Sequence, residues 1–470
     1  MSKVFVFCIG GTGLRVMKSI TMLLAGGMDA KGFTIVPVLI DPHVSLKERL
    51  NLQNLIEDYE TIYNSINTDG DKRLSAIGGF FGTEMADLAK LYGQQNGFAQ
   101  PVASQSSFGQ YINYGMLKSD DVNKYLVQTI FSQSNLDNDL SVGFKGSPNV
   151  GTVVLGELIK GSVEFQAFCN VCQNGDRVFI ISSIFGGTGA SGFPMLEKTI
   201  RNFASNQNVQ NAMIGAVSVL PYFSLDDPSI TGSDIDSKNF LTKAKSALAY
   251  YEQNVSPDYL YYVGEQKFKK TYSNDENQQN DPAHFIELVA ATALFDFLSK
   301  TAKPTNPQVL SRAIRDDKDP LSIISLGDSY SDVVKVVADM MLLSRLVYLL
   351  PNENQFPLSN NRKFDQSFYD DKEFRNLCNF ITFFSEWYHE LESNNRSFAP
   401  LNIAPNDKRN VKLVNWIQDF TLDAKDESYY LLEMIRTSNK DKDKSHDVKF
   451  RRFIDYAYKA INKYTSKILN

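Results

Sequence analysis

The sequence predicts an α/β protein: a doubly wound, mostly parallel sheet over residues 1–300, followed by a mainly helical region over 301–470. Three observations predict it. Short apolar runs alternate with helically spaced segments from residue 3 to about 300, the signature of strands joined by crossover helices. Runs such as KVFVFCIG are apolar throughout, as strands covered on both faces are. Beyond the breaker-rich stretch TAKPTNPQ, strand alternation becomes scarce and long helical patterns take over.

The first strand is KVFVFCIG, and LRVMKSITMLLAGG follows it with helical spacing. FTIVPVLID is the second strand and ends at Asp41. SLKERLNLQNLIEDYETIYNSI is a polar, surface-type helix. Residues from about 65 to 140 are rich in Gly, Gln, Ser and Asn and form an insertion or irregular face. VGFKGSPNVGTVVLGELIKG is a glycine-bearing loop leading into a helix. DRVFIISSIF is a strand, FGGTGASG a loop, and PMLEKTIRNFASN a helix. NAMIGAVSVLPYF and DYLYYVGEQ are further strands on either side of the helix SKNFLTKAKSALAYYEQN. HFIELVAATALFDFLSK is apolar on all sides, which makes it a buried helix spanning about 284–300. In the last third, Phe380, Phe383, Phe384, Trp387 and Tyr388 recur at core-like spacing, and Lys449, Arg451 and Arg452 lie on a solvated helix face.

The 470-residue length exceeds one ordinary core. Hydrophobic content of 43% with 22% charged residues belongs to a globular chain. A formal net charge of -6 argues against binding to nucleic acid or anionic membrane. Cys169 and Cys172 form a CxxC on a helical pattern with no second pair or histidine cluster, which reads as buried thiols. The N-terminus enters a strand directly, without the pattern of a signal peptide. No apolar run approaches the ~20 residues of a membrane span. These features read as a soluble, cytoplasmic protein of a reducing compartment.

In an open parallel sheet, ligands bind beyond the carboxyl ends of the strands. Two glycine runs are placed there. CIGGTGLR brings Gly10, Gly11, Thr12 and Gly13 to the end of the first strand, where glycine backbone can approach an oxyanion at a helix N-terminus. The second run is Gly186, Gly187, Thr188, Gly189, Ala190, Ser191 and Gly192. It exceeds what a chain reversal needs, and Thr188 and Ser191 add hydroxyls. It has neither the lysine of a Walker A loop nor the spacing of G-x-G-x-x-G. A phosphate site of this kind must use backbone amides and helix dipoles, assisted by a metal ion.

Together these segments resemble the tubulin/FtsZ superfamily of GTPases, and more narrowly its divergent bacterial tubulin-like members. FGGTGASG is similar to the signature GGGTGSG on the same strand-to-helix junction. CIGGTG resembles the first nucleotide loop, and VLIDPH places Asp41 where the family has an acidic or polar residue near the nucleotide. GFKGSPNVG is similar to GxGAGANPxVG, and SVLPYFSLDD to the ribose loop. The resemblance implies GTP or GDP with Mg2+ as ligands. Gly10 to Gly13 would face the α- and β-phosphates and Gly186 to Gly192 the β-phosphate side. Gly146, Ser147, Pro148 and Asn149 would lie over the γ-phosphate, and Asn280, His284 and Phe285 near the base. It further implies self-assembly or a protein partner, possible membership of a bacterial defence system, and no nucleic-acid partner.

The pattern departs from the family at two places. The segment after the buried helix, TAKPTNPQVLSRAI, has none of the acids that drive hydrolysis in a neighbouring subunit. The nearest are Asp316, Asp317 and Asp319. The C-terminal third reads as helical rather than mixed α/β. No catalytic residue is assignable. Three functions stay open: an assembling GTPase, a nucleotide-gated interaction module with little hydrolysis, and a Rossmann-type dinucleotide enzyme, which CIGGTGLR followed by Asp41 imitates. The CxxC is the one candidate metal motif, and its buried-thiol reading leaves no metal site of its own.

Overall fold

A computed structural model of the chain describes residues 2–41, 47–67, 79–92, 107–140, 143–144, 146–225, 240–265, 271–272, 282–314, 330–349, 364, 366–393, 402–403, 411–413, 420–422 and 449–469. Its centre is a six-stranded sheet. The strands are β1 (Lys3–Ile9), β2 (Thr34–Ile40), β3 (Arg177–Ser183), β4 (Met213–Val219), β5 (Tyr259–Glu265) and β6 (Gln308–Ile314). They lie in the order β2-β1-β3-β4-β5-β6, and every pairing is parallel. The fold is therefore the doubly wound α/β class that the sequence predicts.

Helices cover both faces of the sheet. On one face lie α1 (Gly10–Ala25) and α7 (Phe285–Ser299), with Phe297 against Phe179 of β3 at 5.4 Å. The other face carries α3 (Pro148–Gly161), α4 (Val163–Val171) and α5 (Gly187–Phe203), with Phe168 against Phe5 and Phe7 of β1. Helix α6 (Phe240–Asn254) packs on α5 through Tyr251 and Phe193. As its composition requires, α7 is buried almost all round.

The sheet continues beyond the expected boundary at residue 300. β6 pairs with β5 over Gln308–Ile314, within TAKPTNPQVLSRAI, the segment that follows the buried helix. Its alternation was hard to read because Gln308, Val309 and Ser311 are exposed at the sheet edge. After it come α8 (Tyr330–Leu349), α9 (Lys372–Ser393) and α10 (Lys449–Leu469). They pack on one another and on α1 and α2 (Lys47–Ile66). Phe380, Phe384, Trp387 and Tyr388 are buried there, with Phe383 half-buried. A three-stranded antiparallel sheet, 402–403, 411–413 and 420–422, adds strand structure that the helical reading omitted.

The four cysteines are free thiols, and Cys169 and Cys172 are buried. Burial pushes the Cys172 thiol up to about 12 and raises that of Cys169. Among the described residues, no helix is long and apolar enough to cross a membrane.

Candidate functional site

The strand order reverses at β1, with β2 on one side and β3 on the other. The crevice beyond β1 and β3 is thus the topological switch point, where ligands bind in sheets of this class. Both glycine runs of the sequence lie there.

Each run is helical where the sequence suggested a loop. Helix α1 begins at Gly10, four residues before the expected start at Leu14, and α5 begins at Gly187 rather than Pro194. Glycine's weak helix propensity hides such starts from a sequence reading. Gly10 adopts φ +70°, a conformation costly for any residue with a Cβ. A Cβ there would lie 3.4 Å from that of Thr188 and 3.5 Å from the Gly189 nitrogen, so the two helix starts abut.

The remaining glycines divide by role. Gly13, Gly189 and Gly192 face strands: an added Cβ would lie 2.8 Å from the Cys8 carbonyl carbon, 2.6 Å from the Ser183 oxygen and 2.6 Å from the Ile9 side chain, respectively. They bring α1 and α5 down onto the sheet. Ser191 is buried and donates its hydroxyl to the Gly187 carbonyl at 2.7 Å, which engages a group expected to face phosphate. Ala190 is buried, whereas Gly11, Gly186 and Thr188 are half-buried at the crevice and Thr12 is buried beside them.

The third expected segment joins the same place. A Cβ on Gly187 would lie 2.9 Å from that of Phe144, 3.1 Å from the Gly146 nitrogen and 3.2 Å from the Ser147 nitrogen. Ser147 is the N-cap residue of α3. Its hydroxyl accepts from Asn135 Nδ2 at 3.0 Å, and Asn149 Nδ2 donates to Asn135 Oδ1 at 3.1 Å. Three helix starts therefore meet. None has a side-chain cap, and none carries an acidic residue in its first turn. Uncapped N–H groups and the positive ends of helix dipoles favour an anion.

A lysine that the sequence did not reveal also reaches this cluster. Lys243 of α6 donates to the Gly146 carbonyl at 2.7 Å. Only the fold brings residue 243 beside residue 146, so no local spacing could have found it.

Beside α1 lies a buried polar cluster. Arg15 Nε is 2.8 Å from Glu287 Oε1, and Arg15 also donates to the Tyr222 hydroxyl at 2.8 Å. That hydroxyl donates to Glu287 at 2.5 Å. Glu287 lies on a largely apolar helix, and Arg15 and Tyr222 are its partners. His284 is the N-cap of α7: its Nδ1 accepts from the Ile286 amide at 3.1 Å, and Glu287 accepts from the His284 amide at 2.9 Å. Its Nε2 faces Glu265 at 3.7 Å. His-x-x-Glu is spaced like a capping box, the signal that identifies this role. Phe285 is fully buried. Asp41 is buried at the end of β2, and its carbonyl accepts from Arg49 at 2.9 Å. Asn280 and Asp316, Asp317 and Asp319 lie outside the described residues.

No family model matches the chain, and no curated protein matches it. Among solved structures it is similar to CetZ from Methanosaeta thermophila, with a TM-score of 0.32 and 14% identity over 70% of this chain. The chain spans 58% of that protein's length. An overlap of that size does not bear on function.

Proposed function

We propose that the chain binds a nucleoside triphosphate at the switch point and changes a contact with itself or with a protein partner according to the nucleotide's state. Guanine is the base that the tubulin/FtsZ-like order of its loops implies. The observation that carries the reading is the abutment of Gly10 with Thr188 and Gly189, which sets two uncapped helix starts side by side. Backbone N–H groups of Gly10 to Gly13 and of Gly187 to Gly189 would hold the phosphates. Among the described residues no group of three or more His, Cys, Asp or Glu could hold a metal, so Mg2+ would be held chiefly by phosphate oxygens, with Thr188 as a hydroxyl neighbour. Bound there, it would offset phosphate charge.

Within this reading, slow hydrolysis is favoured over assembly-driven turnover. The connection from α7 to β6, residues 300–307, carries no acid to offer a neighbouring subunit and leads straight into a strand. Acid precipitation of the purified protein, followed by chromatography of what is released, tests the reading. Released GDP or GTP, or magnesium-dependent GTP binding by the emptied protein, is the expected result. NAD(H) release with no response to GTP would replace it with the Rossmann reading, and no nucleotide binding of either kind would overturn it.

A further inference from the structure

The helix Val122–Ile130 precedes α3 in the chain and buries none of its side chains; only Val127 packs partly inward. Val122, Tyr125, Leu126 and Ile130 fall on one face at helical spacing and are between 51% and 80% exposed. A helix of nine residues is marginal unless packing holds it, and here the apolar face has no cover. Four large apolar side chains in the open make a patch on the order of 400 Å2, the size that marks an interaction site on a monomer. The last turn of this helix is tied to the candidate site, since the Ile130 carbonyl accepts from Asn149 Nδ2 at 3.4 Å.

We propose that this face is a two-fold contact between two copies of the chain. A two-fold contact sets a surface against itself, so an ionised face would repel its own copy. This face carries no ionised side chain. Lys124, the one charged residue of the helix, lies on the opposite side, where it donates to the Leu117 carbonyl at 3.4 Å and covers the Tyr114 ring at 5.5 Å. Thr129, inside the face, turns its hydroxyl back onto the Tyr125 carbonyl at 2.8 Å. No other described helix or strand exposes more than two large apolar side chains, so the best counterpart a second copy offers is the same face. An axis beside Leu126 sets Val122 against the second copy's Ile130, twice over. Such a contact closes at two copies instead of growing end to end. Its area is below the roughly 800 Å2 per partner of a stable interface, so the pair is reversible and forms in the micromolar range.

Sedimentation of the full chain over a concentration series tests this. No nucleotide is added, so self-association and nucleotide binding succeed or fail separately. A reversible monomer–dimer equilibrium is expected. Leu126→Glu sets two carboxylates against each other at the axis and weakens association about tenfold or more. Val122→Lys puts a charge into the apolar face and serves should the first variant fold poorly. Leu50→Glu, the same change at a lone exposed leucine of α2, keeps association within about twofold of the native chain. Leu126→Cys in a Cys378→Ser background gives a disulfide-linked dimer on mild oxidation, because the axis brings the residue beside its own copy. Lys245→Cys, at an exposed position of α6, does not. A native chain that stays monomeric to sub-millimolar concentration leaves the face to a different protein and overturns the proposal. A dimer that persists unchanged in both face variants overturns it as well.

Discussion

Tyr251 donates its hydroxyl to the Ala190 carbonyl at 3.0 Å, and that is the carbonyl Pro194 leaves without an amide partner. A proline inside a helix deletes one hydrogen bond four residues back. Here a tyrosine from α6 restores it. Tyr251→Phe is expected to cost about 1–3 kcal/mol, the penalty for an orphaned buried carbonyl. In a Pro194→Ala background the cost should shrink, since P194A introduces the missing amide. Urea unfolding of the four proteins gives the coupling. Strictly additive effects would mean that the hydroxyl does not serve this carbonyl.

The buried pair Arg15–Glu287 makes a second prediction. Arg15→Met strands a carboxylate that is 1% exposed. Removing one member of a buried pair typically costs about 3–5 kcal/mol. Adding Glu287→Gln removes the stranded charge while keeping an acceptor for the His284 amide. The double variant should therefore be more stable than R15M alone in a denaturant titration.

Gly187→Ala should disturb the candidate site more than the fold. Its methyl would press on Phe144 and on the Gly146 amide, overpacking worth about 1–3 kcal/mol. GTP binding should fall as the third turn is pushed away. Gly156→Ala, whose methyl meets only Met195 Sδ at 3.4 Å, should leave binding intact and stabilise α3 by up to about 1 kcal/mol. Calorimetry of both variants checks the contrast.

Asp339 predicts a pH effect in the C-terminal helices. Burial raises its pKa, and Lys335 and the Thr465 hydroxyl only partly offset this. A carboxyl whose pKa is higher folded than unfolded contributes stability that is complete below the ordinary carboxylate pKa. That contribution is lost as pH rises through the folded-state value. Asp339→Asn keeps an acceptor for Thr465 and carries no charge. Relative to the native chain it should gain stability at pH 7–8 and lose that advantage toward pH 3. Urea midpoints across pH would show the trend, and a constant difference would refute it.

Five of the six central strands were legible because strands buried on both faces are continuous apolar runs, such as Lys3–Ile9 and Met213–Val219. β6 was not, since an edge strand with exposed Gln308, Val309 and Ser311 carries half a pattern. The two glycine runs were correctly placed at strand ends, but their helical state was hidden by composition. Which glycines pack on strands and which line the crevice depends on neighbours such as Ile9 and Phe144, absent from any local window. His284 was readable as a cap from Glu287 three residues on. Lys243 and Arg15 acquire their roles only when distant segments meet.

The position of β1 between β2 and β3 bears on how the molecule comes into being. Val4 pairs with Arg177, and the Lys3 amide donates to Asp176, 173 residues away. A newly synthesised amino-terminal third holds the first strand and its helix, yet β3, at Arg177–Ser183, has not been made. Closing so long a loop is entropically slow, and parallel pairing of this kind delays folding. The crevice that would grip an anion therefore does not exist on early nascent chains, and premature termination before β3 yields a fragment with an open strand edge prone to self-association.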